Sequence, residues 1–148
     1  MTTINPYLIF DGNCETAFLF YETVFDKKVE YWGRFGDIPA DENAPNMSEE
    51  FKNRIMHAKL EIAPGHILMG SDTNPALGKI IIGNNINISI DVDSREELQR
   101  IFSILSQNGK TNMEPQDTFW GAYFAMVEDQ FGIEWMINYD DPEKTEMH

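Results

Sequence analysis

The chain is poor in cysteine, in positive charge and in long hydrophobic runs. Its 148 residues include a single cysteine, Cys14, so no disulfide can form within the chain. Met1 is followed by neither a basic segment nor an apolar run of signal-peptide length, and we therefore expect a cytoplasmic location. Apolar stretches are only a few residues long, which predicts that the protein has no membrane partner.

Positive charge is scarce because 11 Lys and Arg residues stand against 25 Asp and Glu residues, a net charge of −14. Such a field repels phosphate backbones and favours cationic partners, so we predict no nucleic-acid binding. Much of the acidic charge lies in a loop near Asp41 and in the tail at 140–148, where its simplest role is solubility.

The first half of the chain predicts a strand, a helix and three further strands. The predicted strands are residues 4–10, 28–35, 55–62 and 66–71. Apolar residues recur at three- and four-residue spacing over 14–25, which predicts a helix capped by Asn13. A long loop with one helical turn at 48–53 precedes the last two strands, and Pro64-Gly65 predicts the turn between them.

The second half repeats this order. Its predicted strands are residues 85–92, 110–116, 122–128 and 133–138. Ser94 and Glu97 have the spacing of a capping box and open a helix predicted to end at Leu105. Residues 129–132 have the Asp-first, Gly-last pattern of a type I turn. Both halves are therefore predicted to have the element order βαβββ, so the architecture repeats although the residues do not.

The predicted fold class is α+β, with paired βαβββ modules forming a curved sheet around a cavity. The helix of each module covers one face of its sheet, so we expect the two uncovered faces to meet and to leave a pocket. The predicted domain is single, with halves at about 1–72 and 84–139 and an acidic tail at 140–148. The loop at 72–83 allows the halves to pair within one chain or between two chains.

Four segments carry a resemblance to a known family. They are YLIFDGNCETAFLFYETVF, IMHAKLEI, LMGSD and DTFWGAYFAMVEDQFGIEWMIN. In this order they resemble the vicinal oxygen chelate superfamily of glyoxalase I, extradiol dioxygenases and bleomycin-resistance proteins, and more narrowly its PhnB-like branch. The resemblance implies the paired βαβββ fold, a homodimer and a small-molecule ligand. It does not imply one reaction, because this scaffold hosts many chemistries.

The resemblance also implies a divalent metal held by four His or Glu side chains on the first and last strands of each half. In this chain those positions are Asn5, Met69, Asn85 and Met136. Amides and thioethers are poor ligands for Zn, Ni or Fe compared with imidazole and carboxylate. His57 and His66 flank a hairpin turn with poor geometry for chelation, and His148 is at a frayed end. We predict no metal ligand and no cofactor, with a divalent metal as the less favoured alternative.

If the cavity keeps the superfamily orientation, polar and aromatic side chains line it. The predicted ligand-binding residues are Tyr7, Asn85, Asn87, Ser89, Trp120 and Met136. An aromatic loop, Phe119-Trp120, beside amides and hydroxyls suits a flat or amphipathic molecule. The alternatives are that Trp120 only packs in the core and that the Asn and Ser side chains only contact cavity water.

Glu134 and His57 are the predicted catalytic residues. An apolar pocket would raise the pKa of Glu134 and suit it to act as a general base, although a solvated or ion-paired strand residue explains it as well. His57 suits acid–base work near neutral pH, and a structural hydrogen bond is the alternative. For Cys14, a buried and inert thiol is favoured over a reactive one.

Two functions from different classes follow from these residues. The first is metal-independent lyase or isomerase chemistry, in which Glu134 or His57 moves a proton on a carbonyl, enol or quinone-like compound. The second is non-catalytic sequestration of a cationic antibiotic or another small ligand. A methyltransferase activity lacks support because no strand is followed by a glycine-rich nucleotide loop. A vestigial cavity in an interaction module is a third possibility.

Overall fold

The computed structural model describes residues 1–39, 47–74, 76 and 78–145. The chain divides into two compact units, Met1–Ile81 and Ile82–His148, and each contains one four-stranded sheet. Residues 40–46 of the long predicted loop and the predicted frayed end at His148 lie outside the described residues. No helix in the described part of the chain is both long enough and apolar enough to cross a membrane.

The first unit contains a sheet in the strand order β1-β4-β3-β2. Its strands are β1 (Tyr7–Phe10), β2 (Tyr31–Arg34), β3 (Ile55–Ala63) and β4 (His66–Asp72). Strand β1 pairs in parallel with β4, while β2, β3 and β4 form an antiparallel meander. The β3–β4 hairpin turns at Gly65, whose φ of +80° is easily reached only by a residue without a Cβ.

Two helices belong to the first unit, α1 (Cys14–Phe25) and the short α2 (Glu49–Asn53). The apolar stripe of α1 packs on one face of the sheet, and its Phe18 is fully buried there. Gly70 on β4 allows this close approach, because an added Cβ would lie 2.7 Å from the Phe18 ring and 2.7 Å from the Leu8 carbonyl. Helix α1 has the bounds that its periodicity predicted.

The second unit has a sheet in the order β5-β8-β7-β6, which repeats the topology of the first. Its strands are β5 (Ile88–Asp91), β6 (Lys110–Asp117), β7 (Ala122–Glu128) and β8 (Glu134–Asp140). Strand β5 is parallel to β8, and the other pairs are antiparallel. A turn is present at the predicted residues 129–132, with the Gly132 amide donating to the Asp129 carbonyl at 3.0 Å.

Helix α3 (Arg95–Leu105) covers one face of this second sheet. Its buried residues Leu98, Ile101 and Leu105 recur at the spacing of a helical face, and Trp135 and Ile137 of β8 are fully buried in the same unit. Trp135 therefore lies beneath the helix. A further short helix, α4 (Pro142–Thr145), follows β8 within the predicted acidic tail.

The two parallel edge strands are shorter than predicted. Strand β1 begins at Tyr7, three residues later than expected, and β5 covers only Ile88–Asp91 of the predicted 85–92. Pro6, which has no amide hydrogen to donate to the ladder, directly precedes β1. The pairing of β5 with β8 begins only at Ile88 and Trp135. Asn85 and Asn87 consequently precede β5 and do not belong to it.

The predicted cap of α1 is wrong. Asn13 makes no side-chain capping hydrogen bond. Instead, the Asp72 carboxylate at the end of β4 accepts hydrogen bonds from the amides of Gly12 at 2.8 Å and Cys14 at 3.0 Å. Its other oxygen accepts from the Ile55 amide at 2.9 Å, so one buried carboxylate joins β3, β4 and the start of α1.

Candidate functional site

The face of the first sheet opposite α1 carries polar and aromatic side chains. Its central row crosses all four strands through Tyr7, Met69, Lys59 and Tyr31. Alternation along β3 places the His57 side chain on this face together with Lys59, while the neighbouring Ala58 is fully buried on the α1 side. The row thus brings two tyrosines and a histidine to one surface.

His57 lies between these two tyrosines. Its Nδ1 is 3.2 Å from the Tyr7 hydroxyl, and the two rings stack with centroids 5.7 Å apart at an interplanar angle of 28°. The Tyr31 ring is tilted against the imidazole, with centroids 5.9 Å apart. The hydrogen bond orients one ring nitrogen, and Nε2 has no hydrogen-bond partner among the described residues. The imidazole is therefore held in place with one nitrogen available for proton transfer.

The corresponding face of the second sheet is rich in methionine. A row runs from Ser89 on β5 through Met136, Met126 and Met113 on the three following strands. The three methionines are half-buried and Ser89 is exposed. Thioether side chains adapt to many apolar shapes, so this row can contact an apolar ligand without fixing its identity.

Glu134 is at one end of this methionine-rich face and is only 9% exposed. Burial raises the pKa of its carboxyl group, and the charge of Glu128 directly across on β7 raises it further. The Asn112 side-chain amide donates a hydrogen bond to Glu134 Oε2 at 3.1 Å. A carboxyl group with a raised pKa can accept or donate a proton closer to neutrality than an ordinary glutamate.

The predicted aromatic loop lies between β6 and β7. Phe119 is 91% exposed and Trp120 is 42% exposed, and their rings meet edge to face at 5.1 Å. Trp120 also contacts Phe124 edge to face at 5.9 Å. The loop is closed by the Thr118 amide, which donates to the Ala122 carbonyl at 2.8 Å, and by Gly121 with φ of +90°. Trp120 therefore packs against two aromatic rings and remains partly exposed.

The predicted ligand-binding residues Asn85, Asn87 and Ser89 are only partly on the sheet. Ser89 belongs to β5 beside Met136, whereas Asn85 is exposed on the chain that leads to the strand. Asn87 carries a buried Oδ1 that has no hydrogen-bond partner among the described residues. A buried amide oxygen without a partner is unusual in folded proteins and can receive a donor from a ligand or water.

The residues of these faces that were missed from the sequence include Tyr31, Lys59 and Asn112. Tyr31 and Lys59 belong to the same row as Tyr7, and Lys59 forms an ion pair with Glu30 at 3.8 Å. The sequence does indicate Lys59, because Lys59 has the same parity on β3 as His57 and therefore lies on the same face. Asn112 could not be found in this way because the β6–β7 register shifts beside it.

The donors at the implied metal positions do not fit a divalent ion. Met69 lies beside Tyr7 and Lys59, and Met136 lies beside Ser89 and Met126, so neither has an imidazole or carboxylate next to it in its row. Within the described ranges, no three His, Cys, Asp or Glu side chains come together as a potential metal site. The chemistry available on both faces is hydrogen bonding, proton transfer and apolar contact.

Cys14 is fully buried at the start of α1. Burial raises the pKa of its thiol, and the negative charges of Asp72 and Glu15 raise it further. The thiolate form is therefore strongly disfavoured, which agrees with an inert structural thiol.

Comparison with known proteins identifies the family. The sequence profile described as the Glyoxalase/Bleomycin resistance protein/Dioxygenase superfamily matches residues 3–137. The protein YjdN of Escherichia coli K12 is 35% identical over 148 residues, covering 97% of this chain and 99% of YjdN.

Solved structures agree with this assignment. The protein PA1353 from Pseudomonas aeruginosa is 37% identical, with a TM-score of 0.81 over 95% of this chain and 98% of that one. A putative 3-demethylubiquinone-9 3-methyltransferase, PhnB protein, from Bacillus cereus shares the fold at 23% identity, with a TM-score of 0.72 over 93% of this chain and 99% of the other. The chain, with its two βαβββ sheets, belongs to the glyoxalase/bleomycin resistance protein/dioxygenase superfamily and has PhnB-like structural neighbours.

Proposed function

We propose that this protein binds a small carbonyl, enol or quinone-like compound and catalyses a metal-independent proton transfer on it. The observation that carries the proposal is the placement of His57 against the Tyr7 hydroxyl, at 3.2 Å, on the sheet face opposite α1. A general base must be oriented and must keep one nitrogen accessible, and both conditions are met by this imidazole. The flanking Tyr7 and Tyr31 rings offer flat apolar surfaces for a planar ligand.

In the proposed step, His57 Nε2 removes a proton from a carbon next to the substrate carbonyl. The electron pair of the broken C–H bond moves to the carbonyl oxygen and forms an enolate. Nδ1–H donates to the Tyr7 oxygen in the required tautomer, so the Tyr7 hydroxyl hydrogen is available to the enolate oxygen. Return of the proton from Nε2 to another carbon completes an isomerisation, and loss of a β-substituent from the enolate completes an elimination.

Glu134 is the second candidate base in this proposal. Its raised pKa and its neighbour Asn112 support a role in proton transfer on the methionine-rich face of the second sheet. The close carboxyl of Glu128 gives the simpler alternative, in which two facing glutamates share a proton and Glu134 has a structural role.

Proton transfer can be tested by deuterium exchange at carbon. A panel of small dicarbonyls and quinones in D₂O, followed by NMR, reports C–H exchange without knowledge of the physiological product. We expect exchange of at least one compound, and its rate in His57→Gln to fall by about 100-fold because one general base is lost. Tyr7→Phe should lower the rate less, since it removes one hydrogen bond to the oxygen.

His66→Gln is the matched control, because His66 is an exposed histidine at the start of β4. It should leave the exchange rate unchanged. A rate that persists in His57→Gln but disappears in Glu134→Gln would transfer the catalytic role to Glu134. Unchanged rates in both variants would contradict the catalytic proposal.

Sequestration of a cationic antibiotic or another small ligand is the second candidate function. It is favoured by the net charge of −14 and by the methionine row with its neighbouring aromatic loop. Binding of a basic glycopeptide should then weaken as salt is raised and should survive His57→Gln and Glu134→Gln. Binding that is insensitive to salt would contradict the electrostatic part of this proposal.

The homodimer and the cytoplasmic location remain proposals. Family membership supports the dimer, and the two candidate functions do not depend on it. Light scattering after gel filtration should give twice the mass of the chain, and a monomeric mass would contradict the dimer.

A further inference from the structure

We propose that a pocket in the first unit, away from the His57 face, binds a small zwitterion such as a free aromatic amino acid. The pocket has a volume of about 360 Å³ and lies where β1 and β4 end, beside α2. A volume near the lower limit for ligand pockets suits a ligand the size of an amino acid. The lining residues that matter here are Asp11, Ser48, Glu50, Phe51, Arg54 and Lys79.

The charges of this pocket are balanced, in contrast to the chain as a whole. Among the lining residues that the structure describes, the two carboxylates Asp11 and Glu50 are matched by the two cations Arg54 and Lys79, whereas the chain carries a net charge of −14. A neutral sum disfavours both polyanions and strongly cationic ligands. Separate positive and negative groups in one pocket instead match a ligand that carries one charge of each sign.

Arg54 holds the acidic side of the pocket together. Its guanidinium is 3.2 Å from Asp11 and 3.6 Å from Glu50, and the Arg54 side chain is only 22% exposed. Gly12 supports this arrangement, because an added Cβ would lie 3.2 Å from Arg54 Nη2. Both carboxylates are well exposed and keep free lone pairs, so they can accept hydrogen bonds from a ligand ammonium group.

Lys79 supplies the positive side. It makes no ion pair with any residue that the structure describes, so its ammonium group can bind a ligand carboxylate. Ser48 adds a neutral hydrogen-bond donor for the same carboxylate. Its Oγ accepts from the Phe51 amide at 3.1 Å, which leaves the hydroxyl hydrogen available.

The apolar wall of the pocket is Phe51. Its ring stacks on Phe35, with centroids 4.3 Å apart and an interplanar angle of 25°, and it is half-buried. The ring is thus fixed on one side and can contact a ligand on its other side. An aromatic or large aliphatic side chain on the amino acid fits this wall best.

The proposal can be tested by titrating the ¹⁵N-labelled full chain and following the amide signals of Thr73, Gly78 and Lys79. The probes are L-phenylalanine, phenylacetate and 2-phenylethylamine, which share a ring and carry both charges, only the negative charge or only the positive charge. We expect saturable shifts with L-phenylalanine and at least threefold weaker binding of each singly charged probe, because each loses one exposed ion pair.

Two variants assign the charges. Lys79→Glu should weaken L-phenylalanine and phenylacetate at least threefold and should not weaken 2-phenylethylamine. Lys27→Glu, at an exposed lysine elsewhere in the same unit, should change none of the three affinities. Absence of saturable shifts, equal affinity for all three probes, or an unchanged affinity in Lys79→Glu would overturn the proposal. His57→Gln should leave this binding intact, so failure here is separable from failure of the proposed catalysis.

Discussion

The two units begin their long helices in different ways, although their topologies are the same. In the first unit the start of α1 is held by the buried carboxylate of Asp72, which is 3% exposed. In the second unit Ser94 caps α3 locally, accepting from the Glu97 amide at 3.1 Å. Arg95 then ties the helix to Asp117 and Asp141 at the surface.

The start of a helix can thus be fixed to its sheet either by a buried carboxylate or by a local cap and charges at the surface. The three backbone hydrogen bonds to the buried Asp72 carboxylate stabilise the joint strongly. They are insensitive to salt because water and ions do not reach them. An exposed network of Arg95, Asp117 and Lys144 is individually weak and is screened by salt.

The largest expected effect is that of Asp72→Ala. It leaves the amides of Gly12, Cys14 and Ile55 without their acceptor, and we expect the free energy of unfolding to fall by about 3 kcal/mol or more. Urea unfolding gives this number, and hydrogen exchange should show lost protection in α1 before α3. The free energy of unfolding of Asp72→Asn should lie between those of Asp72→Ala and the wild-type protein. Equal loss of protection in both helices would contradict a local joint.

A smaller effect is expected from the paired substitutions Ser94→Ala and Asn13→Ala. Loss of the Ser94 cap should cost about 1 kcal/mol of stability. Asn13→Ala should cost much less, because the Asn13 side chain makes no capping hydrogen bond. Urea unfolding of both variants measures these losses of stability. Equal losses would support the cap that the sequence predicted for Asn13.

The smallest effect is expected from Asp117→Asn. A hydrogen bond from Arg95, and a smaller contribution from the hydrogen bond of Lys144, lower the pKa of Asp117 to about 2. A lowered pKa in the folded state stabilises the protein above the ordinary Asp value of 3.8, and this contribution disappears as pH falls through about 2. The variant should therefore have a slightly lower Tm at pH 7, with the difference vanishing near pH 2 and shrinking in 1 M salt.

Periodicity predicted those elements whose burial is set by their own sequence. Helix α1 and strand β7 have the predicted bounds, because each presents one regular apolar face to the core. The edge strands β1 and β5 were predicted too long. Pro6, which lacks an amide hydrogen, directly precedes β1, and the pairing of β5 with β8 begins only at Ile88 and Trp135. Neither limit can be read from alternation.

Residue type and parity were enough to name candidate site residues, but not to predict which of them contact each other. His57 and Tyr7 were both candidates, yet their contact depends on β4 lying between β1 and β3 in a particular register. A slip of one residue would have reversed both faces, and such a register is set only when the whole sheet forms. Asp72 was missed for a related reason, because its three donors come from two distant segments.

The pairing of the first strand of each unit with the last has a consequence for synthesis on the ribosome. Tyr7 meets Met69 some 60 residues later in the chain, so β1 cannot find its partner until nearly the whole unit has emerged. The β2–β3 pair can form earlier, because both of its strands precede β4 in the chain. Truncation of the chain before β4 should therefore leave α1 without a complete sheet, since the final strand supplies both the neighbour of β1 and the carboxylate at the helix start.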